Sequence, residues 1–143
     1  MQKFIKTGEF NDMGLSVMIV RDIMIRGVVT AKEDMTIESA IKTLDEKHIG
    51  SIVITDDEGK CTGIFTERDA IRVIARNFSL STPLKKVMTQ NPITVWEGAS
   101  FAEAMALIVS HGKRHLPCID EKKRLVGILS IRNFLDEVIG ITR

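Results

Sequence analysis

The sequence predicts a mixed α/β (α+β) protein of two β-α-β-β-α halves, packed sheet to sheet with pseudo-two-fold symmetry. Three observations predict it. The chain aligns with itself without a gap at an offset of 64 residues, Val20–Asp69 against Leu84–Asn133, so that Gly63 falls on Gly127. Each aligned half carries an apolar stripe at helical spacing. Each then carries two short apolar, partly β-branched runs separated by a polar turn.

The elements follow in order. A short segment, Val20–Met24 or Leu84–Met88, opens each half and ends in methionine. Extended pieces are expected at Val28–Ala31 and Ile93–Trp96. Ile37, Ala40, Ile41 and Leu44 stand at i, i+3, i+4 and i+7, as do Phe101, Ala104, Met105 and Ile108, so both stretches read as amphipathic helices. Ser100 and Glu103 form a capping box ahead of the second. Ser51–Thr55 and Leu116–Ile119 read as strands. Asp56-Asp57-Glu58-Gly59 and Asp120-Glu121-Lys122-Lys123 are turn-forming, and the returning strands lie near Cys61–Phe65 and Leu125–Leu129. A last helix is expected in each half, at about Glu67–Asn77 and Ile131–Ile139. Strands this close in sequence make a hairpin, whereas the first strand joins the sheet through a helical crossover. One half of about fifty residues has a marginal core alone, so burial of the two sheet faces against each other is expected.

The strongest internal match is the phrase "GIFTERD" (63–69), which returns as "GILSIRN" (127–133). Glycine, isoleucine and arginine are kept, threonine becomes serine, and aspartate becomes asparagine. Thr66-x-x-Asp69 also reads as an ordinary capping box, and both roles stay open at this point.

Composition narrows the function classes. The 143-residue chain carries a net charge of +1 with its charges mixed, and it has no tyrosine. This argues against a nucleic-acid footprint or a base-stacking platform. Cys61 and Cys118 form no Cys-x-x-Cys, and no metal pattern joins them to His48, His111 or His115, so buried free thiols and no metal are expected. No Walker-type loop and no nucleophile–base pair is found. Cys118 lies three residues from His115, which on a strand puts them on opposite faces. No enzymatic activity is expected. The N-terminal "MQKFIKTGEFNDMG" is too polar for a signal peptide, and "LSVMIV" is too short to span a bilayer, so a cytoplasmic location and no membrane partner are expected.

The chain resembles a tandem pair of cystathionine-β-synthase (CBS) domains, a Bateman module, over roughly residues 18–140. The resemblance rests on "VRDIM" and "LKKVMTQNPITV", which open the repeats. "HIGSIVITDDEGKCTGIFTERD" and "KRHLPCIDEKKRLVGILSIRN" close them. It implies an N-terminal arm (1–17), a first repeat (18–77), a linker (78–83) and a second repeat (84–143). It also implies a stand-alone, non-enzymatic sensor of adenine-containing ligands, with AMP, ADP or ATP ahead of S-adenosylmethionine or NAD. No cofactor is required. A homodimer forming a four-repeat disc is implied, as is a regulated partner protein. The alternative is an interaction module with degenerate clefts that acts through its dimer surface.

The family pattern assigns the ribose to Asp69 and the phosphate to Thr66 at a helix start. A carboxylate only accepts hydrogen bonds and a ribose diol donates two, while a helix N-terminus favours anions. Carried across by position, the main cleft takes Thr66, Arg68 and Asp69 with Pro92, Ile93, Arg114, His115 and Pro117. Arg114 and His115 serve the phosphates there, and Pro92, Ile93 and Pro117 wall the adenine. The second cleft takes Ser130, Arg132 and Asn133 with Val28, Val29, Gly50, Ser51 and Val53. It lacks both the carboxylate and the basic pair, so it is expected to be weaker. A first-turn helix arginine is more often solvated, which is the competing reading of Arg68 and Arg132. Glu67, Arg72 and Arg76 read as a solvated helix face. Met24 and Met88 read as packing residues, and Trp96 is a candidate dimer contact.

Overall fold

Both amphipathic stretches form the helices their spacing predicts, and polar side chains start them. In the computed structural model, which describes residues 18–132 and 135, α2 (Ile37–Lys47) begins at Thr36, whose hydroxyl accepts from Ser39 N at 3.1 Å. The other, α4 (Phe101–His111), begins with the expected box: Ser100 accepts from Glu103 N, and Glu103 accepts from Ser100 N. Both end in a left-handed residue. That residue is Gly112 after α4 but His48 after α2, where a Cβ makes the conformation less favourable.

One sheet has the order β1-β2-β3-β4. Its strands are β1 (Thr30–Ala31), β2 (Ser51–Thr55), β3 (Cys61–Thr66) and β4 (Thr89–Gln90). β1 runs parallel to β2, and β2–β3 is the expected hairpin, with Ser51 opposite Thr66 and Ile52 opposite Phe65. Helix α3 (Glu67–Ala75) follows β3 directly. The other sheet has the order β5-β6-β7, from Val95–Trp96, His115–Ile119 and Leu125–Ser130, with β5 parallel to β6. Ile131 and Arg132 continue β7 as helix. Apart from Leu135, which is helical, the rest of the final helix expected at Ile131–Ile139, with Asn133, lies outside the described residues, as does the N-terminal arm expected at 1–17. The first strand of each half is a pair of residues, not the longer piece expected. The sequence pattern had no sign of β4, because its apolar content is nil.

The described residues fall into two compact units, and these differ from the sequence repeats in their leading segments. One unit holds Val28–Pro92 with Lys123–Leu125; the other holds 18–27, 93–122 and 126–132. Each leader therefore packs on the sheet of the other repeat. Leu84 N donates to Met35 O at 2.7 Å and Lys85 N to Glu33 O at 3.0 Å. The same bonds recur 64 residues away, from Val20 N to Ala99 O at 2.9 Å and from Arg21 N to Glu97 O at 2.8 Å. Here α1 (Val20–Ile23) corresponds to the 3-10 turn Leu84–Lys86. Leu84 and Val87 join a core with Ile37, Leu44, Ile52, Phe65 and Val73. Val20 and Met24 join the separate core of Val95, Ala104, Ile108, Leu116, Cys118 and Leu129.

This exchange explains two of the repeated identities. A Cβ on Gly63 would stand 2.5 Å from Met88 Sδ, and one on Gly127 would stand 2.6 Å from Met24 Sδ. Each glycine thus makes room for the methionine that ends a leader. The Gly63 neighbours are all in the flexible Met88 side chain, whereas Gly127 also faces the Ile25 carbonyl at 3.0 Å. That carbonyl is held in the antiparallel Ile25–Ile128 bridge. Gly127→Ala is therefore expected to cost about 2–3 kcal/mol and Gly63→Ala about 1 kcal/mol, as overpacking does. Urea unfolding of both variants checks this, and the reverse order would contradict it.

Candidate functional site at the start of helix α3

The phrase Gly63–Asp69 places a carboxylate where strand becomes helix. Thr66 ends β3 and is also the N-cap of α3, with extended backbone at φ −113° and ψ 171°. Its N–H donates to Asp69 Oδ2 at 2.9 Å, and its hydroxyl donates to the same oxygen at 3.2 Å. In return Thr66 Oγ1 accepts from Asp69 N at 3.3 Å. The capping box is thus real. It holds Asp69 at 5% exposure, one of the few buried polar residues.

The other oxygen is also engaged. Arg72 Nη1 donates to Asp69 Oδ1 at 2.8 Å, while Arg72 Nη2 donates to Val87 O at 2.9 Å. Arg72 is therefore not part of a solvated helix face, as the sequence suggested; it is half-buried and joins α3 to the leader. The i, i+3 spacing from Asp69 was the available signal, but Val87 as second partner is a tertiary fact. A carboxylate offers about four acceptor positions. Two on Oδ2 are used by Thr66 and one on Oδ1 by Arg72, leaving one on Oδ1. A ribose diol needs two, and the second opens if the Thr66 hydroxyl turns toward a ligand.

The remaining predicted residues divide between the two units. Thr66, Arg68, Asp69 and Pro92 lie in one, and Ile93, Arg114, His115 and Pro117 in the other. Arg68 and Arg114 are exposed, Pro92, Ile93 and His115 half-buried, and Pro117 fully buried. Of the second set, Val28, Val29, Gly50, Ser51 and Val53 share the unit of Asp69, and Ser130 and Arg132 belong to the other. Ser51 pairs with Thr66 across the hairpin, and Gly50 O accepts from Glu67 N at 3.0 Å. The equivalent bond, from Ile131 N to Arg114 O, spans 3.2 Å. Val53 is fully buried, Ser51 and Ser130 are buried, and Val28, Val29 and Gly50 are half-buried. An open cavity of about 440 Å³ lined by Glu33, Thr62, Lys85, Lys86, Met88, Gln90 and Asn91 contains none of these predicted residues.

Among the described residues no group of three or more His, Cys, Asp or Glu could hold a metal, and no helix is long and apolar enough to cross a membrane. Cys61 and Cys118 are free thiols. Burial pushes the Cys61 thiol up to about 11, opposed by a hydrogen bond with the Gly63 backbone. Burial pushes Cys118 up to about 12, aided by the negative charge of Glu97. Both are protonated, weak nucleophiles at neutral pH.

Known proteins share this fold. The CBS domain family matches residues 20–76 and 84–140. A 17.7 kDa protein of Acidianus ambivalens is 33% identical over 122 residues, covering 85% of this chain and 74% of that one. The inosine-5'-monophosphate dehydrogenase of Methanocaldococcus jannaschii is 29% identical over 114 residues, 80% of this chain but only 22% of the enzyme. Among solved structures, the CBS domain pair of protein MJ0100, in complex with 5'-methylthioadenosine and S-adenosyl-L-methionine, superposes with a TM-score of 0.78 at 27% identity. It covers 85% of this chain and 96% of that one. The CBS domain protein PAE2072 from Pyrobaculum aerophilum, complexed with AMP, gives 0.77 at 25% identity, covering 87% and 100%.

Proposed function

Because this chain belongs to the CBS domain family and carries a tandem pair of its repeats, we propose that it is a non-enzymatic regulatory module that binds an adenosyl ligand at Asp69 and signals to a partner protein. The observation that carries this reading is the buried Asp69 carboxylate, fixed at a strand-to-helix turn with one acceptor position left on Oδ1. Asp69 takes the ribose, and Thr66 with the positive end of α3 takes a phosphate or another charged group. By the family pattern, Arg68, Arg114 and His115 add donors, and Pro92, Ile93 and Pro117 wall the base. AMP, ADP and ATP are the first ligand choices, with S-adenosylmethionine and NAD next. The ligands of the MJ0100 pair and of PAE2072 support this class.

The second set, with Asn133 for Asp69 and Gly50-Ser51 for Arg114-His115, is the weaker site. The chain works as a homodimer in the cytoplasm. Exposed Ile71 and Ile74, three residues apart on α3, support a surface for a second copy. Ligand bias between two states of the module is the signal, limited by the difference in affinity for those states.

Thermal-shift measurements with AMP, ADP, ATP, NAD and S-adenosylmethionine test the reading. A rise of about 2–4 °C per kcal/mol of binding is expected with at least one of them. A flat response to all five would leave the alternative, an interaction module with degenerate clefts. Partner capture indifferent to nucleotide would then support that alternative.

A further inference from the structure

Arg72 has two partners, and they belong to different parts of the chain. Nη1 meets Asp69 Oδ1, and Nη2 meets the carbonyl of Val87, each within 2.9 Å. Val87 is buried and caps the 3-10 turn Leu84–Lys86, and its own N–H donates to Leu84 O. The next residue is Met88, whose sulfur lies over Gly63, and then comes β4, which pairs with Gly63 and Ile64. One guanidinium therefore joins the carboxylate to the segment that covers the strand leading into it. The fork geometry of arginine allows this, whereas a lysine ammonium is a single point charge. The repeat equivalents of Asp69 and Arg72 are Asn133 and Asp136, so the second half lacks both members of this ion pair in sequence.

We propose that Arg72 is a positioning residue for the Asp69 site and couples its occupancy to the order of residues 84–90. This rests on the reading of Asp69 as the ribose carboxylate. Arg72 selects one orientation of the carboxylate and leaves a single Oδ1 acceptor position. A ligand that binds only this orientation favours the Arg72–Val87 bond, and an ordered leader favours the ligand in return. Such linkage is reciprocal, and couplings of this kind run from about 5-fold to 150-fold in affinity.

The test uses Arg72→Met, Arg72→Lys, Asp69→Ala and the Asp69→Ala/Arg72→Met double variant of the full chain. In the ligand-free protein, Arg72→Met is expected to raise amide exchange at Val87 and Met88 about tenfold, with α2 core amides unchanged. Arg72→Lys keeps a charge beside Asp69 but cannot hold both partners, so it gives the same faster exchange with a smaller loss of affinity. In AMP and S-adenosylmethionine titrations, Arg72→Met is expected to weaken the binding ligand about tenfold. The double variant should then bind no worse than Asp69→Ala, because Arg72 acts through Asp69. Unchanged exchange at 87–88 in both Arg72 variants, or losses that simply add, would overturn the proposal. If Arg72→Met does not fold, the same exchange and titration criteria apply to Arg72→Lys and its double variant with Asp69→Ala. If the wild type binds neither ligand, the reading of the site fails and the coupling with it. Faster exchange in the free variants would still establish the tie to Val87, so the two failures are told apart.

Discussion

Asp69→Ala is expected to weaken AMP binding about 10- to 100-fold, while Asn133→Ala changes it less than threefold. A hydrogen bond to a charged group contributes about 1.5–3 kcal/mol, and each 1.4 kcal/mol is tenfold in affinity. Only Asp69 offers a carboxylate; Asn133 is an amide that offers a weaker, uncharged acceptor. The substitution also removes a structural part. Thr66 N loses its acceptor, and Arg72 loses its ion-pair partner, being left on Val87 O alone. Loss of a helix cap costs about 1 kcal/mol, and the half-exposed guanidinium can turn to water, so the fold should survive. Asp69→Asn, which copies the second repeat, keeps an acceptor for the cap and should lie between wild type and alanine in affinity. Calorimetric titration with AMP and urea unfolding of the same samples separate the two effects. Equal affinity losses at 69 and 133 would refute the asymmetry between the halves.

Phe65→Ala should be the most destabilising single change in the phrase, at about 3–5 kcal/mol. Phe65 is fully buried opposite Ile52, in the core of Ile37, Leu44, Val73, Leu84 and Val87. Truncation there removes apolar burial and leaves a cavity between sheet and helices. Domains of this size are stable by about 5–15 kcal/mol in all, so the midpoint of thermal unfolding should fall by about 10 °C. Phe65→Leu should cost less than about 1.5 kcal/mol, because the equivalent place in the other half is held by Leu129, at 2% exposure. A calorimetric scan decides it. A loss below 1 kcal/mol for alanine would mean that this core collapses around the gap. Phe65 precedes Thr66, so the alanine variant should also loosen the capping box and weaken ligand binding.

Much of this architecture was legible from pattern alone. The apolar spacing of Ile37–Leu44 and Phe101–Ile108 locates α2 and α4, because a helix with one buried face repeats every 3.6 residues. The hairpin β2–β3 follows from two apolar runs and a turn. The recurrence of "GIFTERD" marks the carboxylate and its asymmetry. The leaders were harder to read. Thr89 and Gln90 are polar and exposed, so nothing in their pattern marks a strand; their pairing with Ile64 and Gly63 comes from the fold around them. The role of Arg72 is hidden for a related reason. Helical spacing shows that it can meet Asp69, but not that a carbonyl 15 residues further on waits for its other nitrogen.

Sequence alone decided the period of 64 residues, the element order within each half, and the presence of one carboxylate where two equivalent places exist. These are local or repeated properties, written as spacing and residue type. The tertiary structure decided which sheet each leader covers, what a side chain at Gly63 or Gly127 would meet, and how Asp69 is held. Those facts depend on contacts between segments far apart in the chain, where Met88 meets Gly63 and Arg72 meets Val87. Periodicity records which face of a segment is buried; it does not record what buries it.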